Sequence, residues 1–257
     1  MVKKALKWTY LMLILFFLYA PIVVRIALSF NASRSSAVWT GFTFDWYKDL
    51  LGDAKIMDAL KVTLSVAVIA TAVSTVLGTL AAIGIHGMKK GWAGWILNVS
   101  YLPMTMPDIV TGVSIMMLFV VLKMERGYWT MVMAHIAFDT PYVLFSVLPK
   151  LKQMDPNMYE AALDLGCKPF KALTKVIVPQ VTPGIVTGGL LAFTMSIDDF
   201  IISYFTGGSA VNNLSIAVYG SARRGVSPSM YALSAIMFVV ILVLLLIINR
   251  RSSLENV

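Results

Sequence analysis

Four aspartates stand within or at the ends of long apolar runs of this 257-residue chain: Asp108, Asp139, Asp198 and Asp199. A carboxylate near the middle of a bilayer costs about 3 kcal/mol on insertion scales, so each calls for a partner or a task. The task that suits such groups is holding a cation. At an effective dielectric near 20, a carboxylate about 4 Å from an ammonium gains roughly 4 kcal/mol, which offsets part of the dehydration of the cation. Several spaced carboxylates match a long cation with several amines, whereas a route for anions calls for the opposite sign, and here Arg25 stands against the acids. In SIDDFIISYFTGG, the residues Ser196, Asp199, Ser203 and Thr206 fall on one helical face at steps of three and four, while Asp198 points about 100° away from Asp199. His135 and Asp139, four apart, are expected to pair with each other. No cysteine or further histidine is placed to turn that pair into a metal site.

The one sizeable polar island between the later apolar runs is Asp155 to Pro179, DPNMYEAALDLGCKPFKALTKVIVP. It predicts two short helices joined by a tight turn. Asp155 can cap a helix whose first residue is Pro156, Gly166 can take the left-handed position that ends it, and a second helix restarts at Pro169. Ala161 and Ala162 present almost no side chain, and Glu160 and Asp164 share a face, so the first helix suits close docking by another protein. The single cysteine, Cys167, lies in this island, which rules out an intrachain disulfide.

The elements that position these groups are apolar runs long enough to cross a bilayer. The first, Trp8 to Phe30, follows Lys3, Lys4 and Lys7, exceeds the apolar core of a signal peptide and is expected to stay as a span. The outer segment 31–57 then gathers Trp39, Phe42, Phe44, Trp46 and Tyr47, which predict a short interfacial helix, with an aromatic cage for a cation as the alternative. The second span, 58–85, carries Ser65, Thr71, Ser74, Thr75, Gly78 and Thr79, small and hydroxyl residues that permit tight packing inside a bundle. The third, 92–122, breaks near Pro103 and Pro107, so Asp108 opens a half-helix that it can cap while also meeting a cation. The fourth, 128–148, ends at Lys150 and Lys152. A fifth is predicted from Thr182 and Pro183 to about Tyr204, and a sixth starts at Ser227 and Pro228 and runs over 229–249 to Arg250 and Arg251. The expected protein is an all-α membrane protein with six transmembrane helices. Residues 1–57 form the first span and outer segment, 58–250 a five-helix core with the 155–179 loop, and 251–257 a tail.

Composition points the same way: with 58% hydrophobic and 13% charged residues, the chain carries more apolar surface than a soluble domain of its size can hide. The net charge of +8 does not mark a nucleic-acid partner, because the basic residues cluster at the ends of the apolar runs, the pattern of cytoplasmic anchoring. It supports an orientation with both termini and the 155–179 loop in the cytoplasm. No GxxxxGK[ST] occurs, so the chain carries no Walker phosphate-binding loop of its own. The GxGD signature of intramembrane aspartyl proteases is also absent. A secondary cation transporter, working without an ATPase, is the alternative from another class.

Glu160, Ala161, Ala162 and Gly166, followed at the proper spacing by Val176, Val178 and Pro179, resemble the EAA loop of ABC importer permeases, with the two valines where isoleucine and leucine are usual. YLPMTMPDIV around Asp108, SIDDFIISYFTGG around Asp198 and Asp199, and GFTFDWYKDLL look like the corresponding segments of the permeases of spermidine/putrescine importers, a similarity over nearly the whole chain. The resemblance implies the type I ABC importer permease fold in a bacterial inner membrane, with lipid around it. It also implies a second homologous permease, two ATP-binding cassette subunits that carry ATP and Mg, and an extracytoplasmic polyamine-binding protein. It implies no catalytic residue and no cofactor in this chain. Glu160, Ala161, Ala162 and Gly166 would couple it to the ATPase, and Asp108, Asp198, Asp199, Ser196 and Ser203 would line the substrate path. A member of the same family for another cation, such as ferric iron, is the alternative substrate reading.

Overall fold

A computed structural model describes residues 2–35, 37–209, 211–224 and 228–254. Ser227, at the expected start of the last span, and the end of the expected tail lie outside them. Among the described residues the chain is helical, apart from loops and an isolated antiparallel bridge between Asn31 and Phe42. It divides into two compact units, Met1–Asp58 with Ala217–Val243, and Ala59–Ile216 with Leu244–Val257.

In the first unit, α1 (Val2–Leu28) is a long apolar helix whose hydrophobic side chains lie open for lipid or a partner. Asn31 organises the loop that follows. Its Nδ2 donates to the carbonyls of Val38 (2.9 Å) and Ser35 (3.3 Å), while its Oδ1 accepts from the N–H groups of Ser33 (3.2 Å) and Thr40 (3.1 Å). The expected short helix forms as α2 (Asp45–Gly52). The rings of Phe30, Phe42, Phe44 and Tyr47 pack on one another at centroid distances of 5.0 to 5.5 Å for the closer pairs, and Trp46 Nε1 donates to the Asn31 carbonyl at 2.7 Å. These aromatics therefore fill their own cluster.

The second unit is built on α3 (Ala54–His86), α4 (Lys90–Thr105), α5 (Asp108–Val121), α6 (Tyr128–Gln153) and α9 (Val178–Asp198). As expected from the prolines, the third run is broken: α4 and α5 meet at Met106–Pro107 with a bend of 110°. Among the described residues four helices are long and apolar enough to span a membrane, Leu6–Leu28, Ala54–His86, Tyr128–Gln153 and Pro169–Asp198, and the bent pair makes a fifth if it counts as one span. α12 (Pro228–Leu254) is a further helix, opening with the apolar stretch Pro228–Val243.

The fifth span departs from expectation at both ends. It starts at α8 (Pro169–Ala172) and not at Thr182–Pro183; after a wider turn at Leu173–Ile177, where the Val178 N–H reaches back five residues to the Leu173 carbonyl, it runs as α9 straight through Pro183. A proline inside a membrane helix is tolerated because neighbouring groups and local widening absorb the lost bond. The helix also stops before Tyr204, at Asp198, and restarts as α10 (Ile201–Thr206).

The core of this unit is the contact of α6 with α9. On α9 the small residues Gly184, Gly188, Ala192 and Ser196 recur every fourth position, and Gly184 and Gly188 lie directly on Ser146, Val147 and Val143 of α6. A Cβ on Gly188 would sit 2.9 Å from Val143 Cα, a backbone atom that cannot step aside. Gly188→Leu is therefore expected to force the helices apart, destabilising the subunit by about 1–3 kcal/mol or more, the cost of overpacking, which thermal unfolding of the purified protein will register.

Candidate functional site

The buried polar centre of the second unit is His135 on α6. Its Nδ1 lies 2.7 Å from Ser196 Oγ on α9 and its Nε2 lies 2.9 Å from Ser203 Oγ on α10, all three residues being buried. Asn213 joins the network: its Oδ1 accepts the Ile216 N–H (2.9 Å), and its Nδ2 donates to Ser203 Oγ at 2.8 Å. The sequence expectation that His135 pairs with Asp139 is thus corrected: tertiary packing delivers two hydroxyls that the isolated helix does not have.

Asp199 closes this network from below. The carboxylate accepts the N–H groups of Ile202 (3.1 Å) and Ser203 (2.7 Å), which otherwise have no intrahelical acceptor, and Oδ2 lies 3.5 Å from His135 Nε2. This capping is why the helix breaks: Asp199 is extended (ψ 125°) and its side chain starts α10. Ser196, Asp199 and Ser203, expected on one helical face, still converge, but around a joint and through His135. Asp199 keeps 9% of its side chain exposed, whereas Asp198, the last residue of α9, faces outward. Thr206 turns inward, bonding the Ile202 carbonyl at 2.7 Å.

Asp108 opens α5 immediately after the bend, exposed in the first helical turn where the positive end of the helix dipole favours an anion. Asp139, one turn after His135, is fully buried, and neither of its oxygens has a hydrogen-bond partner. Leaving a charged group in that state costs several kcal/mol. Among the described residues no group of three or more His, Cys, Asp or Glu is arranged for a metal ion.

At the other functional stretch, α7 (Met158–Asp164) starts two residues later than Pro156: Asp155 Oδ1 accepts the Asn157 N–H at 2.9 Å and so shapes a turn ahead of the helix. Gly166 takes the left-handed conformation, φ +83°, with the Cys167 N–H returning to the Ala162 carbonyl at 3.1 Å. Glu160 and Ala161 are exposed, while Ala162 is buried against its own fold. Tyr159 and Leu173 pack on the core that contains Leu151 and Ile177, which ties α7 to the base of α9. Sequence reasoning passed over the two residues that protrude most here, Leu165 at 89% and Phe170 at 76% exposed, on either side of the Gly166 turn.

Long apolar helices around a buried polar joint, with a short-helix loop tied to one of them, define a helical membrane protein. Residues 74–253 match the family of binding-protein-dependent transport system inner membrane components. The chain is 34% identical over 246 residues to the spermidine/putrescine transport system permease protein PotC of Escherichia coli (strain K12), covering 96% of this chain and 93% of that protein. It is 37% identical over 228 residues to the putrescine transport system permease protein PotI of the same strain, covering 86% and 81%. Among solved structures it is similar to a chain of a bacterial ABC transporter involved in the import of the acidic polysaccharide alginate, with a TM-score of 0.72 at 17% identity, over 98% of this chain and 95% of that one. A chain of an amino acid ABC transporter gives 0.58 at 20% identity, over 81% and 100%. The chain belongs to the binding-protein-dependent transport system inner membrane components, and it has the type I ABC importer permease fold. It is a permease subunit and not itself an ATPase.

Proposed function

We propose that this permease carries polyamines inward, spermidine or putrescine, in an ATP-driven importer. The observation that carries the proposal is the similarity to PotC along 96% of the chain. The acidic residues at the α5 start and at the α9–α10 joint agree with a cationic cargo. In this function Asp108, Asp198, Asp199, Ser196 and Ser203 line the path, an extracytoplasmic binding protein delivers the polyamine, and a second homologous permease forms the other wall. The chain crosses the membrane six times with both termini in the cytoplasm.

Two ATP-binding cassette subunits, with their ATP and Mg, dock on the loop that holds Glu160, Ala161, Ala162 and Gly166. The exposed apolar pair Leu165 and Phe170 supports that role, because large apolar side chains on a polar loop are suited to a protein partner. Closure of the ATPases moves α7, and the packing of Tyr159 on the core that holds Ile177 and Val181 passes the motion to α9 and so to the joint at Asp199.

The test is uptake of labelled spermidine by the assembled importer with Asp199→Asn. Asparagine keeps an acceptor for the α10 amides but loses the charge. Uptake at low spermidine is expected to fall by about tenfold or more, the factor that 1.4 kcal/mol represents, with assembly intact. Full uptake in the variant removes Asp199 from the path.

A further inference from the structure

Asp139 has no task in the fold as it stands. It lies on the stripe of α6 that faces α9, between His135 and Val143. Gly188 meets Val143 and Ser196 meets His135, so by register Asp139 stands opposite Ala192, the residue midway between them. His135 has both ring nitrogens engaged elsewhere, and Asp139, 0% exposed, has no donor at either oxygen. Replacing a buried ionisable group by an apolar side chain of similar size is often neutral or stabilising, so the stability of this conformation does not account for Asp139.

Its surroundings say what arrives. Asp139 lies one turn of α6 from His135, whose Nε2 is 3.5 Å from Asp199 Oδ2. Asp108 and Asp198 are exposed, Asp199 is nearly covered and Asp139 is fully covered. The non-helical joint at Asp199, between α9 and α10, lies against His135, one turn from Asp139. Ala192 puts a single methyl group opposite the carboxylate.

We propose that Asp139 is the innermost cation-binding residue of the translocation path, taking a primary ammonium of the cargo when α9 and α10 shift about their joint. The ammonium supplies the hydrogen-bond donors that the carboxylate lacks in this conformation. The proposal rests on the assignment of a polyamine cargo.

The experiment uses the whole importer in proteoliposomes with Asp139→Leu and Asp139→Asn. Uptake of labelled putrescine and spermidine, ATP hydrolysis stimulated by the loaded binding protein, and thermal unfolding of the purified complex are measured on the same preparations. Leucine is expected to leave the unfolding temperature unchanged or raise it, because no internal partner is lost, yet both variants lower uptake of each polyamine by about tenfold or more with ATP hydrolysis retained. Undiminished uptake in Asp139→Leu overturns the proposal. A fall in unfolding temperature alongside the loss of uptake also overturns it, since that reveals a partner inside the protein. Wild-type complex that hydrolyses ATP but imports neither polyamine overturns the cargo assignment and this proposal together, whereas normal wild-type import with unaffected variants overturns this proposal alone.

Discussion

The double substitution Leu165→Asp with Phe170→Asp is expected to abolish association of the permease with its ATPase subunits. The two side chains are 89% and 76% exposed, flank the same turn and contribute nothing visible to the subunit's own core. Large anchors of this kind typically contribute about 2 kcal/mol or more each at an interface, and a carboxylate in their place adds desolvation cost. Losing both weakens docking by roughly a thousandfold on that scale. The check is co-purification of the ATPase with tagged permease, alongside thermal unfolding of the permease alone, which stays unchanged because both positions face outward. Full co-purification of the variant would move the docking surface off this loop.

Gly166→Val acts differently: it is expected to leave the ATPase bound and uncouple it. At φ +83° a β-branched residue costs upward of 1–2 kcal/mol, roughly the penalty for a side chain in the left-handed region. There is no steric obstacle, since nothing lies within 4 Å of a Cβ built there, so the strain is purely that of the backbone. The turn relaxes by giving up the bonds from Gly166 N–H to the Leu163 carbonyl (2.9 Å) and from Cys167 N–H to the Ala162 carbonyl (3.1 Å), and α7 no longer holds a fixed angle to α8. Uptake falls by about tenfold or more while ATP hydrolysis continues. Gly166→Asn, which tolerates the left-handed region, keeps most of the uptake. Normal uptake in Gly166→Val would take the turn out of the coupling route.

What was legible in the sequence was local chemistry. Pro107 broke the third run and set Asp108 at a helix start, Gly166 took the one conformation it tolerates better than other residues, and the aromatics after Asn31 preceded a short helix. The failures have equally physical causes. The spacing of His135 and Asp139 fits an intrahelical pair, but Ser196 and Ser203, 61 and 68 residues away, reach the imidazole first, and no periodicity within α6 carries that information. Likewise, Ser196, Asp199, Ser203 and Thr206 are spaced as on an unbroken helix, and only the capping of α10 by Asp199 splits it. Thr182–Pro183 carries a helix-start signal, yet α9 arrives already formed from Pro169 through the wider turn at Leu173–Ile177. Asn213, which donates to Ser203 Oγ, lies in a loop whose fold-back is set by tertiary contacts. Leu165 and Phe170 read as ordinary apolar residues until their exposure was known.

Accumulation of labelled spermidine in proteoliposomes holding this permease, its partner permease and the ATPase subunits, with the binding protein and ATP each supplied on its own side, tests the proposed transport most directly. Accumulation is expected to require both ATP and the binding protein, to be competed by putrescine, and to be indifferent to ferric iron. Spermidine entry that proceeds without ATP, or ATP-driven accumulation of ferric iron with none of spermidine, would contradict it.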